Sequence, residues 1–200
     1  MKANVNNIIE QIQGKFGTPP MCIFLTGSLA NGAEIEAHDE DYVVIVDGNI
    51  QEKYMQIDGN CFFVMSLYDF EQDINFKTQP RKCMFEYMAY WLALEHPSKN
   101  IVYGSLPMFV INTRKQKSNL LQAAAMEIDN YYQNIEKWSY WPILIYYAIE
   151  NGTTFLSKKE LETVKKAHDK DISVEFVEEI RNKIAILTQR FKGELKDEKD

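Results

Sequence analysis

Apolar residues at Val5, Ile8, Ile9, Ile12 and Phe16 recur at the 3, 1, 3, 4 spacing of a single helical stripe, so the chain is expected to open on an amphipathic helix. Pro19-Pro20 ends that stripe. The run Met21-Cys22-Ile23-Phe24-Leu25 is short, continuous and bounded by breakers, the pattern of a strand buried on both faces. Asp41 to Val46 (DYVVIV), closed by Asp47-Gly48, reads the same way. Asn60 to Ser66 (NCFFVMS), entered from Asp58-Gly59, makes a third strand.

From Leu67 the pattern turns helical, and Pro80 is placed to open a further helix. Met84 to Leu94 (MFEYMAYWLAL) is too apolar for an exposed helix and is expected in the core. Ile101 to Gly104 and Met108 to Ile111 flank Pro107 as short extended pieces. Beyond them the chain reads as all-helical. Thr113 to Gln116 and Ser157 to Glu160 each fit a capping box, where the first and fourth side chains satisfy each other's free backbone donors. Trp138 to Ile149 stops before Asn151-Gly152, and Val174 to Phe191 forms a last helix, with the tail Lys192 to Asp200 expected to fray. The fold class expected is α/β (α+β): a small mixed sheet with helices over residues 1–112, followed by an α-helical unit over residues 113–200.

Composition narrows the functional classes. A hydrophobic fraction of 46% with 12% aromatics supplies a sizeable core. The net charge of -7 opposes a large nucleic-acid footprint, which needs clustered cations, while leaving room for local contacts. Basic clusters at Lys77 to Lys82 and Arg114 to Lys117 read by default as solvated surface. Cys22, Cys61 and Cys83 are odd in number, widely spaced and set among apolar neighbours, as buried thiols are. No apolar run reaches the roughly 18 residues of a membrane span, and the first residues lack the apolar stretch of a signal peptide. A cytoplasmic protein without membrane contact is expected.

The stretch that carries chemistry is Phe24 to Val46, FLTGSLANGAEIEAHDEDYVVIV. A strand ends at Thr26, Gly27-Ser28 makes a tight turn, and the following short segment closes at Gly32. A phosphate approaches a backbone most closely where no Cβ intervenes, and the Ser28 hydroxyl with the N-H groups after it offers donors. After ten intervening residues stand Asp39 and Asp41, at the mouth of the next strand. Residues two apart on a strand share a face, so two carboxylates there converge on one hard cation such as Mg²⁺. A Gly-Ser pair alone is an ordinary turn and a lone D-x-D a solvated one. Their joint order and spacing is far more specific.

These residues resemble the signature of the DNA polymerase β-like nucleotidyltransferase superfamily, h-G-S-x(9 to 13)-D-h-D-h. The form Gly27-Ser28-Leu29-Ala30-Asn31-Gly32 is similar to that of RlaP-type predicted nucleotidyltransferases of bacteria and phages, where a segment like Ser66-Leu67-Tyr68-Asp69-Phe70 follows the third strand. The resemblance implies transfer of a nucleoside monophosphate from a nucleoside triphosphate to an acceptor, which the sequence leaves open among RNA, a protein and a small molecule. It implies Gly27, Ser28, Asn31 and Gly32 at the phosphates and Asp39 and Asp41 as ligands of Mg²⁺ or Mn²⁺. It also implies a third carboxylate, as base or metal ligand, on the following antiparallel strand.

At that third position the alignment places Cys61, and a thiol is a poor ligand for a hard cation. Asp58 is the nearest replacement in sequence. Glu40 fills a normally apolar middle position, either as an extra acid near the metal or as an exposed residue on an open back face. The alternative to an active enzyme is a catalytically impaired protein of the same fold that binds nucleoside triphosphate as a regulatory module.

Overall fold

A computed structural model of the chain describes residues 4–30, 40–111, 113–131, 146–147, 149–150 and 174–196. Contacts gather the chain into two compact units, Met1–Lys77 with Phe85–Phe109, and Thr78–Met84 with Val110–Asp200.

The first unit opens on α1 (Val5–Phe16). Its start is capped by the Asn4 side chain, which accepts from the N-H groups of Asn6 and Asn7, and Gly17 ends it at a φ of 73° with its own N-H on the Gln13 carbonyl. Ile8 and Ile12 form its buried stripe. Then come β1 (Pro20–Thr26), the single turn α2 (Gly27–Ala30), β2 (Asp41–Val46), β3 (Lys53–Ile57) and β4 (Asn60–Ser66). Helices α3 (Leu67–Ile74), α4 (Pro80–Glu95) and α5 (Pro97–Asn100) lead to β5 (Ile101–Gly104). The five strands form one mixed sheet in the order β3-β4-β2-β1-β5, so the α+β class expected from the sequence is the one observed. Met108 to Ile111, expected as extended, adopts no regular structure.

Two features of the sheet differ from expectation. Strand β3 is not singled out by the hydrophobic pattern, because as an edge strand it buries only Met55 and Ile57 and leaves Lys53, Tyr54 and Gln56 outward. It pairs antiparallel with β4 through a two-residue hairpin in which Asp58 and Gly59 both take positive φ, 51° and 83°, as a type I′ turn requires. That hairpin turns β4 back into the direction of β2. The strand that carries Cys61 therefore runs parallel to β2, not antiparallel to it.

Both faces of the sheet are buried, one over Ile23, Val44 and Phe62 and the other, the face that Phe24 shares with Thr26, over an aromatic cluster. There Phe70 of α3 meets Phe24 edge-on at 5.8 Å, and Tyr90 of α4 and Phe109 lie 5.9 and 6.0 Å from Phe70. Such aromatic pairs contribute beyond their buried area. The Tyr90 hydroxyl donates to the Pro107 carbonyl and accepts from the Phe109 N-H, which ties the loop to α4. As expected, Met84, Met88, Ala89 and Ala93 of α4 are buried. All three cysteines are free and buried, and burial raises the Cys22 thiol to about 12.

In the second unit α6 (Thr113–Tyr131) packs on α7 (Val174–Lys196). Leu121, Ala124 and Ile128 of α6 and Val177, Ile180 and Ile184 of α7 are buried at helical spacing. Helix α7 continues to Lys196, past the point at which the tail was expected to fray. The helix predicted to begin at Ser157 lies outside the described residues, as does most of Trp138 to Ile149. No helix among the described residues is long and apolar enough to cross a membrane.

Helix α3 begins on Ser66, whose buried hydroxyl accepts from the Asp69 N-H at 3.0 Å and donates to the Asp69 carboxylate at 2.7 Å. Ser66→Ala removes both bonds and is expected to destabilise the fold by about 1 to 2 kcal/mol. Urea unfolding should show a lowered midpoint with an unchanged m-value.

Candidate functional site

The site is built where β1 ends and β2 begins. Thr26, the last residue of β1, pairs with Asp41, the first of β2, so Gly27 is the residue that must turn away beside the Asp41 side chain. It does so at a φ of +68°. A Cβ built on Gly27 would stand 2.7 Å from Asp41 Oδ2 and 3.5 Å from its Cγ. Glycine is required there twice, by the left-handed backbone and by the carboxylate occupying the side-chain space. Gly27 and Asp41 thus come together well inside the roughly 10 Å that a triphosphate spans by extended-chain reach.

The backbone before Asp41 is clamped from β4. The Cys61 N-H donates to the Glu40 carbonyl at 3.0 Å, and the Glu40 N-H donates to the Asn60 side-chain oxygen at 3.1 Å. Glu40 itself lies on the other face. Its carboxylate accepts from the hydroxyl of Tyr42, two residues on, and residues two apart share a face, so both point opposite to Asp41. Burial first, and then the hydrogen bond and charge of Glu40, raise the Tyr42 phenol above its ordinary range. Tyr42 in turn stacks on Phe62 with ring centres 4.8 Å apart. Glu40 is therefore neither an extra acid beside Asp41 nor fully exposed: it is half-buried and bonded to Tyr42.

Asp41 pairs with Cys61 across β2 and β4, and Cys61 pairs with Gln56 across β4 and β3. One row thus crosses the sheet as Thr26, Asp41, Cys61 and Gln56, all on one face. The position aligned with the third carboxylate is immediately beside Asp41 and holds a buried thiol. Cys61 Sγ is 2.8 Å from the Tyr54 hydroxyl, and that hydroxyl also accepts from Gln56 Nε2 at 3.2 Å. The hydrogen bond to Cys61 is the largest cause of a raised Tyr54 pKa, partly offset by Gln56, and the charge of Asp41 adds to the rise. Asp41 and the Tyr54 phenol are electrostatic neighbours.

Asp58 sits in the hairpin turn at the same end of the sheet, where its carboxylate accepts from Asn7 Nδ2 of α1 at 2.9 Å. Asp39, Asn31 and Gly32 lie outside the described residues, and of Ser28 the backbone alone is described. Among the described residues no three His, Cys, Asp or Glu side chains gather on one point. One Asp41 carboxylate oxygen rests over the Cβ-free Gly27, and carboxylate oxygen is the donor that a hard cation takes. The Tyr54 and Gln56 contacts to Cys61 were missed in the sequence because β3 was. The alternation of Tyr54, Gln56 and an Asp-Gly turn was the available signal. No protein-family model matches this chain, and no curated protein does.

Gly27→Ala is expected to cost about 1 to 2 kcal/mol through the left-handed backbone alone, and to turn the Asp41 carboxylate out of its place. The second cost should vanish when Asp41 is also replaced. A double-mutant cycle of Gly27→Ala with Asp41→Ala, read by thermal unfolding, should therefore show coupling of about 0.5 to 1 kcal/mol, and strict additivity would deny the contact.

Proposed function

We propose that the chain is a metal-dependent nucleotidyltransferase that moves a nucleoside monophosphate from a nucleoside triphosphate to an acceptor hydroxyl. The observation that carries this reading is the Gly27-Asp41 contact, which sets a carboxylate against the backbone of the Gly27 turn. In this reading Asp41, with Asp39, would hold Mg²⁺ or Mn²⁺. When bound, the cation supplies charge neutralisation of the triphosphate and activation of the attacking oxygen. Gly27 and Ser28 would meet the phosphates, and the clamp on Glu40 holds Asp41 in register so that its oxygen stays over the turn. Preorganisation of this kind is the main contribution a protein makes to phosphoryl transfer. The acceptor class in this reading is RNA, a protein or a small molecule.

A second reading is favoured by Cys61 and Asp58. With a thiol beside Asp41, and Asp58, the nearest replacement for it in sequence, bound by Asn7, the protein serves as a nucleotide-binding module that does not turn over. The two readings part on chemistry, while both require the metal site.

Incubation with each α-labelled nucleoside triphosphate, Mn²⁺ and cell extract is expected to release pyrophosphate and label a product. Asp41→Asn should abolish both, together with the heat stabilisation that nucleotide and Mn²⁺ give the wild type. Cys61→Asp restores a base and is expected to speed transfer, up to the 10²- to 10⁴-fold typical of general-base help. Stabilisation without pyrophosphate release in any of these proteins would favour the binding module. Pyrophosphate release that persists unchanged in Asp41→Asn would sink both readings.

A further inference from the structure

Tyr54 is half exposed on an edge strand, yet its hydroxyl is held in place at both sides, by Cys61 Sγ at 2.8 Å and by Gln56 Nε2 at 3.2 Å. An exposed tyrosine with no role at its tip has no need of such bonds, and the ring itself is already supported by Phe63 with ring centres 5.4 Å apart. What the two bonds do is aim the phenol oxygen along the row of Gln56, Cys61 and Asp41. Adjacent strands lie about 4.8 Å apart, so a hydroxyl in contact with Cys61 stands roughly 5 to 10 Å from the Asp41 carboxylate. Gly27 lies on the β1 side of Asp41 and the Tyr54 hydroxyl on its β4 side, so a triphosphate whose outer phosphates rest at Gly27 would reach past Asp41 with its α-phosphate towards Cys61 and that hydroxyl. An attacking oxygen then needs to be about 3 to 3.5 Å from phosphorus.

We infer that Tyr54 is itself an acceptor: the protein transfers a nucleoside monophosphate from a nucleoside triphosphate onto the Tyr54 hydroxyl of the same chain. The inference rests on the nucleotidyltransferase reading and names one acceptor for it. The Tyr54 oxygen bonds to the α-phosphorus, the bond between the α-phosphorus and the bridging oxygen breaks, and pyrophosphate leaves with that bond's electrons. The phenolic proton passes to solvent, which reaches this half-exposed side chain. Nothing is oxidised or reduced. With no carboxylate base beside the phenol, the modification is slow, and with one Tyr54 it stops at one group per chain. Gln56 and Cys61 act as positioning residues.

The test uses the full chain with ATP and, separately, the other nucleoside triphosphates, each with Mn²⁺. Intact-mass spectrometry should show the gain of one nucleoside monophosphate, and peptide mapping should place it on Tyr54. Tyr54→Phe should lose the adduct while keeping its heat stabilisation by a non-hydrolysable nucleotide and Mn²⁺. In the unmodified wild type that same nucleotide should slow acetylation of Tyr54 by N-acetylimidazole, a readout independent of turnover. Mixing Tyr54→Phe with Asp41→Asn should leave both unlabelled, since the site and the hydroxyl then sit on different chains. Stabilisation of the wild type without any adduct, or an adduct on another residue, would overturn the acceptor assignment and leave the nucleotide site standing. Loss of both adduct and stabilisation in Tyr54→Phe would make Tyr54 a nucleotide-binding residue instead. Absence of stabilisation in the wild type would remove the nucleotide site and the assignment together.

Discussion

Asp41 occupies the space in which a side chain on Gly27 would begin, and this single exclusion organises the end of the sheet around it. The contact follows from pairing: Thr26 opposes Asp41 as the last rung between β1 and β2, so the next residue of β1 must leave the sheet directly beside that carboxylate. Only a residue without a Cβ can do so, and only with the positive φ that Gly27 adopts. The rung in turn depends on β4. Hydrogen bonds from Cys61 and to Asn60 hold Glu40 by its backbone on both sides, which prevents the entry of β2 from slipping. A slip of one residue would send Asp41 to the opposite face and bring Glu40 over the turn.

Register also decides which acids belong to the site. Asp39, Glu40 and Asp41 are consecutive, and composition alone treats them as one acidic cluster. The strand divides them. Glu40 is drawn to the face of Tyr42 and Phe62, where its carboxylate is taken up by a phenol, whereas Asp41 faces Cys61 and Gly27. Tyr42 thereby does more than fill the core: by receiving Glu40 on the far face, it holds that carboxylate away from Asp41, its neighbour in sequence.

Much of this was legible in the chain, for reasons that differ by element. Helix α1 and strands β1, β2 and β4 are buried, and burial writes itself into hydrophobic runs of the right length with breakers at the ends. The association of Gly27 with Asp41 was legible through spacing, because a turn and a strand mouth separated by ten residues return naturally to the same sheet edge. Strand β3 was not, since half of an edge strand faces outward and its residues look like loop. With β3 unseen, the direction of β4 could not be read, because direction is set by how many strands intervene and not by the strand's own residues. The pairing of Cys61 with Asp41 was nevertheless anticipated by alignment from Ser66, whose capping of α3 fixes where β4 ends.

The thiol beside Asp41 changes the energetics of the site in two opposed ways. A carboxylate there would place like charges on adjacent strands, raising the pKa of one of them and straining the sheet edge until a cation arrived. Cys61 puts a buried thiol, bonded to the Tyr54 phenol, in place of that second carboxylate. Lost with the carboxylate is general-base help of about 10²- to 10⁴-fold, equal to roughly 3 to 5 kcal/mol of barrier. What remains is positioning by the Gly27 turn, the charge of Asp41 and whatever cation it holds. In the proposed reaction those would serve best an acceptor that is already in place, because holding the reacting groups together substitutes for part of the missing base. In that proposed reaction the Tyr54 hydroxyl, tethered on the strand beside that of Cys61, meets the condition better than any acceptor that must be captured from solution.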